Sequence, residues 1–86
     1  MVTIIWSNKA QKQREKLGNL EEQKLDAMLS MITEGDETSG RPETLSTRYM
    51  DKPLISRRLN HHDRLIYIKH DEGTIEILQC VGHYKD

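Results

Sequence analysis

The spacing of apolar residues changes once along this chain, and that change limits the folds open to it. In the first half, Leu25, Met28, Leu29 and Ile32 recur at i, i+3, i+4 and i+7, which predicts a helix with one buried face. From Leu54 onward, the chain is made of short runs rich in β-branched and aromatic residues, separated by turn residues. Helices followed by strands predict a mixed α/β domain of the α+β type.

Two helices are predicted in the first half of the chain. Ser7 is a good N-cap for a helix over Asn8–Leu17, which Gly18 ends. Asn19 is predicted to cap the second helix, with a glutamate three residues later as in a capping box, and Gly35 ends it. The short connection between the helices predicts an αα-hairpin.

Four strands are predicted, one before the helices and three after them. The order β-α-α-β-β-β favours a largely antiparallel sheet covered on one face by the helix pair. Residues 36–42 are predicted to form a loop. The predicted strands are Val2–Trp6, Leu54–Leu59, Arg64–Lys69 and Thr74–Cys80, with turns at residues 60–63 and 71–73.

Length and composition indicate a single domain over residues 1–86 with a small core. Apolar residues make up 35% of the chain and charged residues 31%. A single cysteine, Cys80, excludes an internal disulfide and fits a reducing cytoplasm. It lies in an apolar strand, so we interpret it as a buried residue and not a nucleophile. No signal peptide or membrane span is recognisable.

The charges are distributed unevenly, although the formal net charge is only −1. Residues 15–37 contain seven acids against two lysines, whereas residues 41–69 contain seven bases against three acids. The second half can therefore present a positive surface to phosphates. A chance division in a short chain is the alternative.

Three arginines are candidate phosphate contacts. Residues two apart in a strand share a face, so Arg58 lies on one face and Arg57 on the other, with Ile55 and Leu59. Arg58 is the better candidate for the open face, and Arg57 is expected to be structural. Arg64 opens the next strand, close to Arg58 if the strands pair. Two guanidinium groups can hold a phosphate through paired hydrogen bonds, although a solvated, salt-bridged strand pair is the commoner outcome.

Candidates for proton transfer lie in two other segments. His83 follows the last strand and has a side chain suited to proton delivery near neutrality; Tyr84 follows it. A loose chain end is the alternative for this pair. Glu43 comes directly after a bend at residues 40–42, where a carboxylate can serve as a general base. The histidines and Cys80 match no zinc-binding spacing, so no metal site is predicted.

Together these segments resemble the Txe/YoeB family of bacterial toxins, in the RelE superfamily. The resemblance spans nearly the whole chain and is strongest after residue 40. The opening Ile4-Ile5-Trp6-Ser7 is similar to the family's first strand and helix cap. The other matching segments are Gly40-Arg41-Pro42-Glu43-Thr44-Leu45, Ser56-Arg57-Arg58-Leu59, His62-Asp63-Arg64-Leu65-Ile66-Tyr67 and His83-Tyr84.

The resemblance implies a fold related to small microbial ribonucleases and a toxin that cuts messenger RNA in the ribosomal A site. Glu43 would be the general base and His83 the general acid. Arg64 would stabilise the transition state, Tyr84 would orient the substrate or the histidine, and Arg58, with Arg57 beside it, would bind the substrate. No metal or other cofactor is implied.

The resemblance also implies partners. These are a cognate antitoxin and the 70S ribosome with its message, while operator DNA would be reached only through the antitoxin. Homodimerisation is a further expectation, because family members dimerise and the core is small. The sequence allows two alternative hypotheses of function. One is a toxin of the same fold that acts by binding, for example by inhibiting gyrase, and the other is a non-catalytic interaction module.

Overall fold

The protein is built on a five-stranded mixed sheet. The structure is a computed structural model that describes residues 2–82. The strands lie in the order β1-β5-β4-β3-β2. Strand β1 pairs in parallel with β5, and the other three pairings are antiparallel. The elements are β1 (Thr3–Trp6), α1 (Asn8–Glu15), α2 (Asn19–Thr33), β2 (Glu43–Tyr49), β3 (Lys52–Arg58), β4 (Arg64–Lys69) and β5 (Thr74–Gln79), with a 3₁₀ turn over Asp71–Gly73 between the last two. The predicted α+β class with a mainly antiparallel sheet is confirmed.

Both helices cover one face of this sheet. All four apolar residues at helical spacing in α2 are buried, as predicted, and Ala10 of α1 is buried with them. They pack against sheet residues of the same face, which are Leu65, Tyr67, Ile75 and Ile77. The opposite face carries a smaller apolar cluster built on Leu54, Ile66 and Ile68. In the part of the chain that the structure describes, neither helix is long and apolar enough to cross a membrane.

The two helix starts were predicted with different success. The Ser7 cap is confirmed, because its hydroxyl oxygen accepts a hydrogen bond from the Ala10 backbone N–H at 3.1 Å. The Asn19 cap is wrong. Gly18 occupies the N-cap position of α2 and its carbonyl accepts the first helical hydrogen bond, from the Glu22 N–H at 2.9 Å. Asn19 is therefore already inside the helix, and no side chain caps this end.

Strand β2 was not predicted from the sequence. Of its seven residues only Leu45 is even half-buried, so the alternation of apolar and polar residues that marks a strand is absent. The strand lies at the sheet edge, pairs with β3 alone and is irregular between Thr44 and Arg48. Its pairing with β3, and not its own composition, makes it a strand.

Gly40 holds the loop before β2 against both the sheet and α2. Its φ is +74°, and an added Cβ would lie 2.7 Å from Met28 Cε and 2.8 Å from the Arg58 carbonyl oxygen. We expect Gly40→Ala to lower the free energy of unfolding by about 2–4 kcal/mol, through backbone strain and overpacking together.

Gly35→Ala is the matched control for this prediction. Gly35 also has a positive φ, +89°, but nothing lies within 4 Å of an added Cβ. Only the backbone strain should appear there, about 1–2 kcal/mol. Urea denaturation of both variants measures the difference, and equal losses would contradict the close contact at Gly40.

Candidate active site

Three strands bring Glu43, Ser56 and Arg64 together. Glu43 is the first residue of β2 and pairs with Ser56 of β3. The bend itself is present just before it, with positive φ at Gly40 and Arg41. Ser56 and Arg64 share the sheet face of the smaller apolar cluster, because each lies two residues from one of its members. The site is therefore on the sheet face that the helices leave open.

Arg64 is the centre of this group. Its Nη1 donates a hydrogen bond to Ser56 Oγ at 2.7 Å and lies 4.0 Å from Glu43 Oε2. Ser56 is 1% exposed, so the partner that orients the guanidinium is rigid and shielded from water. Within residues 2–82 this is the only side-chain hydrogen bond that Arg64 makes, which leaves further N–H groups available to a ligand.

Glu43 is the more accessible partner. Its side chain is 61% exposed, against 19% for that of Arg64. An ion pair of this length and exposure contributes little to stability. The carboxylate can consequently turn toward a bound substrate without a large energetic cost, which suits a group that must accept a proton.

Arg58 lies directly opposite Arg64 on the neighbouring strand. The two residues are register partners in β3 and β4, so the predicted proximity of these arginines is confirmed. The Arg58 side chain is exposed and makes no hydrogen bond or ion pair with any other residue in the range 2–82. Two neighbouring guanidinium groups on the open sheet face can together hold a phosphate.

Arg57 points the other way and is 3% exposed. Its Nε donates to the Tyr67 hydroxyl at 2.9 Å, Nη1 to the Ser39 carbonyl at 3.1 Å and Nη2 to the Asp36 carbonyl at 2.7 Å. All three nitrogens are thus engaged inside the protein. Strand alternation predicted a structural role for Arg57, and these contacts agree with it. A contact of Arg57 with the substrate stays a prediction.

Gly82, near the C-terminal end of the described range, is bonded to the backbone of Arg64. The Arg64 N–H donates to the Gly82 carbonyl at 3.1 Å, and the Gly82 N–H donates to Asp63 Oδ1 at 2.9 Å. His83 and Tyr84, the remaining predicted site residues, lie outside the described range. In the sequence, His83 is the next residue after Gly82.

Cys80 is buried, as predicted, with 1% of its surface exposed. Burial, together with the negative charge of Asp63, raises the pKa of its thiol to about 11. A thiol with such a pKa is protonated at neutral pH and is a poor nucleophile. Within residues 2–82, no three His, Cys, Asp or Glu side chains lie close enough together to bind a metal ion.

Ser56 is the site residue that sequence reasoning passed over. It lies two positions before Arg58, on the same strand face, and that spacing was the available signal. Its role depends on Arg64 reaching across from β4, which only the strand register shows.

Comparisons with known proteins assign the chain to a family. A model of the YoeB-like toxin of bacterial type II toxin-antitoxin systems matches residues 4–84. Among solved structures, a YoeB dimer from Staphylococcus aureus is 28% identical with a TM-score of 0.81, over 96% of this chain and 98% of that one. No relative was found among curated protein sequences.

Two further structures share the fold. A heterotetrameric YoeB-YefM toxin-antitoxin complex, also from Staphylococcus aureus, is 27% identical with a TM-score of 0.77, over 98% of this chain and 99% of that one. A YoeB/ParE toxin from Agrobacterium tumefaciens is 19% identical with a TM-score of 0.81, over 96% and 100%. Because the family model spans nearly all of it, the chain belongs to the YoeB-like toxins of bacterial type II toxin-antitoxin systems, in the RelE superfamily.

Proposed function

We propose that this toxin is a ribosome-dependent endoribonuclease that cuts messenger RNA in the A site without a metal ion. Toxins of the YoeB family are ribonucleases. The observation that carries the proposal is the grouping of Glu43 and Arg64 within 4.0 Å on an open sheet face, with Arg58 directly across from Arg64. A carboxylate base and two cations for one phosphate suit phosphodiester cleavage.

In the proposed reaction the substrate supplies its own nucleophile. Glu43 takes the proton of a ribose 2′-hydroxyl, and the 2′ oxygen attacks the adjacent phosphorus. The bond from phosphorus to the 5′ oxygen breaks as His83 donates a proton to that oxygen. The products are a 2′,3′-cyclic phosphate and a free 5′-hydroxyl. Tyr84 orients the substrate or the histidine.

Arg64 acts on the negative charge that grows on the phosphoryl oxygens during attack. A guanidinium that is already oriented by a buried hydroxyl needs little reorganisation when that charge appears. Its remaining N–H groups can make paired hydrogen bonds to two phosphoryl oxygens. The tether of Gly82 to Arg64 and Asp63 supports a role for the residue that follows it, His83.

The proposed partners follow from the family. The Staphylococcus aureus relative has been solved as a dimer and in a complex with the antitoxin YefM. We propose a cognate antitoxin and a homodimer for this toxin as well, with operator DNA reached only through the antitoxin. The 70S ribosome and its message are the proposed targets, and a cytoplasmic location is part of the same proposal.

Purified toxin added to translating ribosomes tests the proposal. We expect the message to be cut at the A-site codon, with a 2′,3′-cyclic phosphate on the upstream fragment. A matched message with a single 2′-deoxyribose at the cleaved position lacks the nucleophile and should stay intact. If messages survive while the protein still stops growth, a toxin that acts by binding replaces the nuclease.

A further inference from the structure

A cleft rich in cations adjoins the proposed site. It is open, has a volume of about 530 Å³ and lies between α2 and the turn that joins β3 to β4. We call it the basic cleft; its lining residues are Lys24, Arg58, Leu59, Asn60, His61 and Arg64. No carboxylate side chain is among these residues. Arg64 belongs to both places, so the basic cleft continues directly from the Glu43–Arg64 pair.

Two of the three lysine and arginine side chains that line the basic cleft lack internal partners in the described range, and so does the side chain of His61; the third cation, Arg64, is bonded to Ser56. Within residues 2–82, the side chains of Lys24, Arg58 and His61 make no hydrogen bond and no ion pair. Arg57, by contrast, uses all three of its nitrogens internally, and Arg48 pairs with Asp51. The chain contains 14 acidic residues against 13 lysines and arginines. Two unpaired cations, Lys24 and Arg58, beside Arg64 in a chain of nearly balanced charge are a local feature that favours an anionic ligand.

The turn that carries His61 is fixed by its own hydrogen bonds. Asn60 Oδ1 accepts from the His62 and Asp63 backbone N–H groups, each at 2.8 Å, and Asn60 Nδ2 donates to Asp63 Oδ2 at 2.9 Å. The other oxygen of Asp63 accepts from Gly82. Both carboxylate oxygens of Asp63 therefore accept hydrogen bonds, one from the Asn60 side chain and one from the Gly82 backbone N–H. These bonds hold the backbone on both sides of His61, which lines the same cleft as Lys24.

We propose that the basic cleft binds the backbone phosphate of an RNA nucleotide next to the cleaved one. Lys24 and His61 would contact this second phosphate, and Arg58 lies between it and Arg64. The proposal rests on the nuclease function for the identity of the ligand. RNA is favoured over an acidic protein segment because Leu59 is the only apolar residue of the lining, whereas protein interfaces are built around apolar anchors.

Binding of a short 2′-fluoro RNA, which has no 2′-hydroxyl and cannot be cut, tests the cleft directly. We expect Lys24→Ala to weaken binding about five- to tenfold at low salt and to reduce the salt-dependence slope by about 0.7, the value for one lost contact to a single strand. Lys12→Ala is the control, since Lys12 is an exposed lysine of α1 that does not line the cleft. It should change affinity less than twofold.

A scan with neutral methylphosphonate linkages identifies the phosphate. One linkage beside the cleavage position should weaken binding by the wild type but add nothing to Lys24→Ala, because both changes remove the same contact. His61→Ala gives a second variant, and equal thermal midpoints show that all three variants fold. Equal effects of Lys24→Ala and Lys12→Ala, or additive effects of variant and linkage, would overturn the proposal.

The outcomes separate this proposal from the one on which it rests. If wild-type toxin cuts no message while the coupling between Lys24 and one linkage persists, the nuclease function fails and the phosphate site stands. If messages are cut without that coupling, only the phosphate site fails. Weaker antitoxin binding by Lys24→Ala, with RNA binding unchanged, would assign the cleft to a protein partner and would also overturn the proposal.

Discussion

Replacement of Arg64 by alanine is expected to slow message cleavage by about 10²- to 10³-fold, the usual effect of removing one oriented donor to a developing negative charge. Arg64 Nη1 lies 2.7 Å from Ser56 Oγ and 4.0 Å from Glu43 Oε2, so the variant loses the cation next to the proposed base. Arg64→Lys keeps the charge but loses the planar donor pair, and should recover only part of the rate.

The fold should survive this change. The loss of one hydrogen bond to the buried Ser56 hydroxyl costs about 1 kcal/mol, and the Arg64 side chain is not part of either apolar cluster. Single-turnover cleavage on programmed ribosomes, with thermal unfolding alongside, measures both effects. Arg48→Ala removes an equal charge from exposed β2 and is the control. Cleavage by Arg64→Ala within threefold of the wild type would exclude Arg64 from the chemistry.

Ser56→Ala tests the orientation of the Arg64 guanidinium separately from its charge. The guanidinium remains but loses the buried hydroxyl that orients it, so we treat Ser56 as a positioning residue. An intermediate loss of about tenfold is expected, consistent with the removal of one ordinary hydrogen bond. The loss should appear in the rate of the chemical step and not in message binding.

Arg57→Ala is expected to have the largest effect on stability, lowering the free energy of unfolding by about 2–4 kcal/mol. Three acceptors lose their donor at once: the Tyr67 hydroxyl and the carbonyls of Ser39 and Asp36. Tyr67 is fully buried, so its hydroxyl loses this hydrogen-bond donor in the interior of the protein. The same contacts tie residues 36–39 to the sheet, so that loop should loosen as well.

Arg58→Ala is the matched control, because it changes the same residue type one position further along the strand. Arg58 is exposed and has no side-chain partner in the described range, so its removal should alter stability by less than about 0.5 kcal/mol. For a domain of this size, each kcal/mol corresponds to about 4–8 °C in the thermal midpoint. Urea and thermal unfolding of both variants measure the contrast. Equal midpoints would contradict the assignment of a structural role to Arg57 and not to Arg58.

The loop held by Arg57 has local order of its own. The Asp36 carboxylate accepts hydrogen bonds from the Ser39 hydroxyl and from the backbone N–H groups of Ser39 and Thr38. These bonds hold the pKa of Asp36 well below its usual range. Loop release in Arg57→Ala should therefore expose an ordered turn and not a random segment.

Local sequence patterns were sufficient to predict most of the secondary structure. The period of 3.6 in α2, the cap at Ser7 and the strand over Arg64–Lys69 are properties of neighbouring residues, and the structure confirms them. Strand alternation also placed Arg57 and Arg58 on opposite faces before any contact was known. By the same reasoning, β2 was missed because its side chains do not alternate.

The sequence by itself determined which residues can carry the chemistry: a carboxylate after a bend, arginines on adjacent strands and a histidine near the end of the chain. The tertiary structure alone decided which of them meet. Glu43, Ser56 and Arg64 come from three different strands, and Lys24 reaches the β3–β4 turn from a helix. Such contacts depend on sheet register and on the packing of α2, which are collective outcomes of burial along the whole chain and leave no mark on the spacing of any one segment.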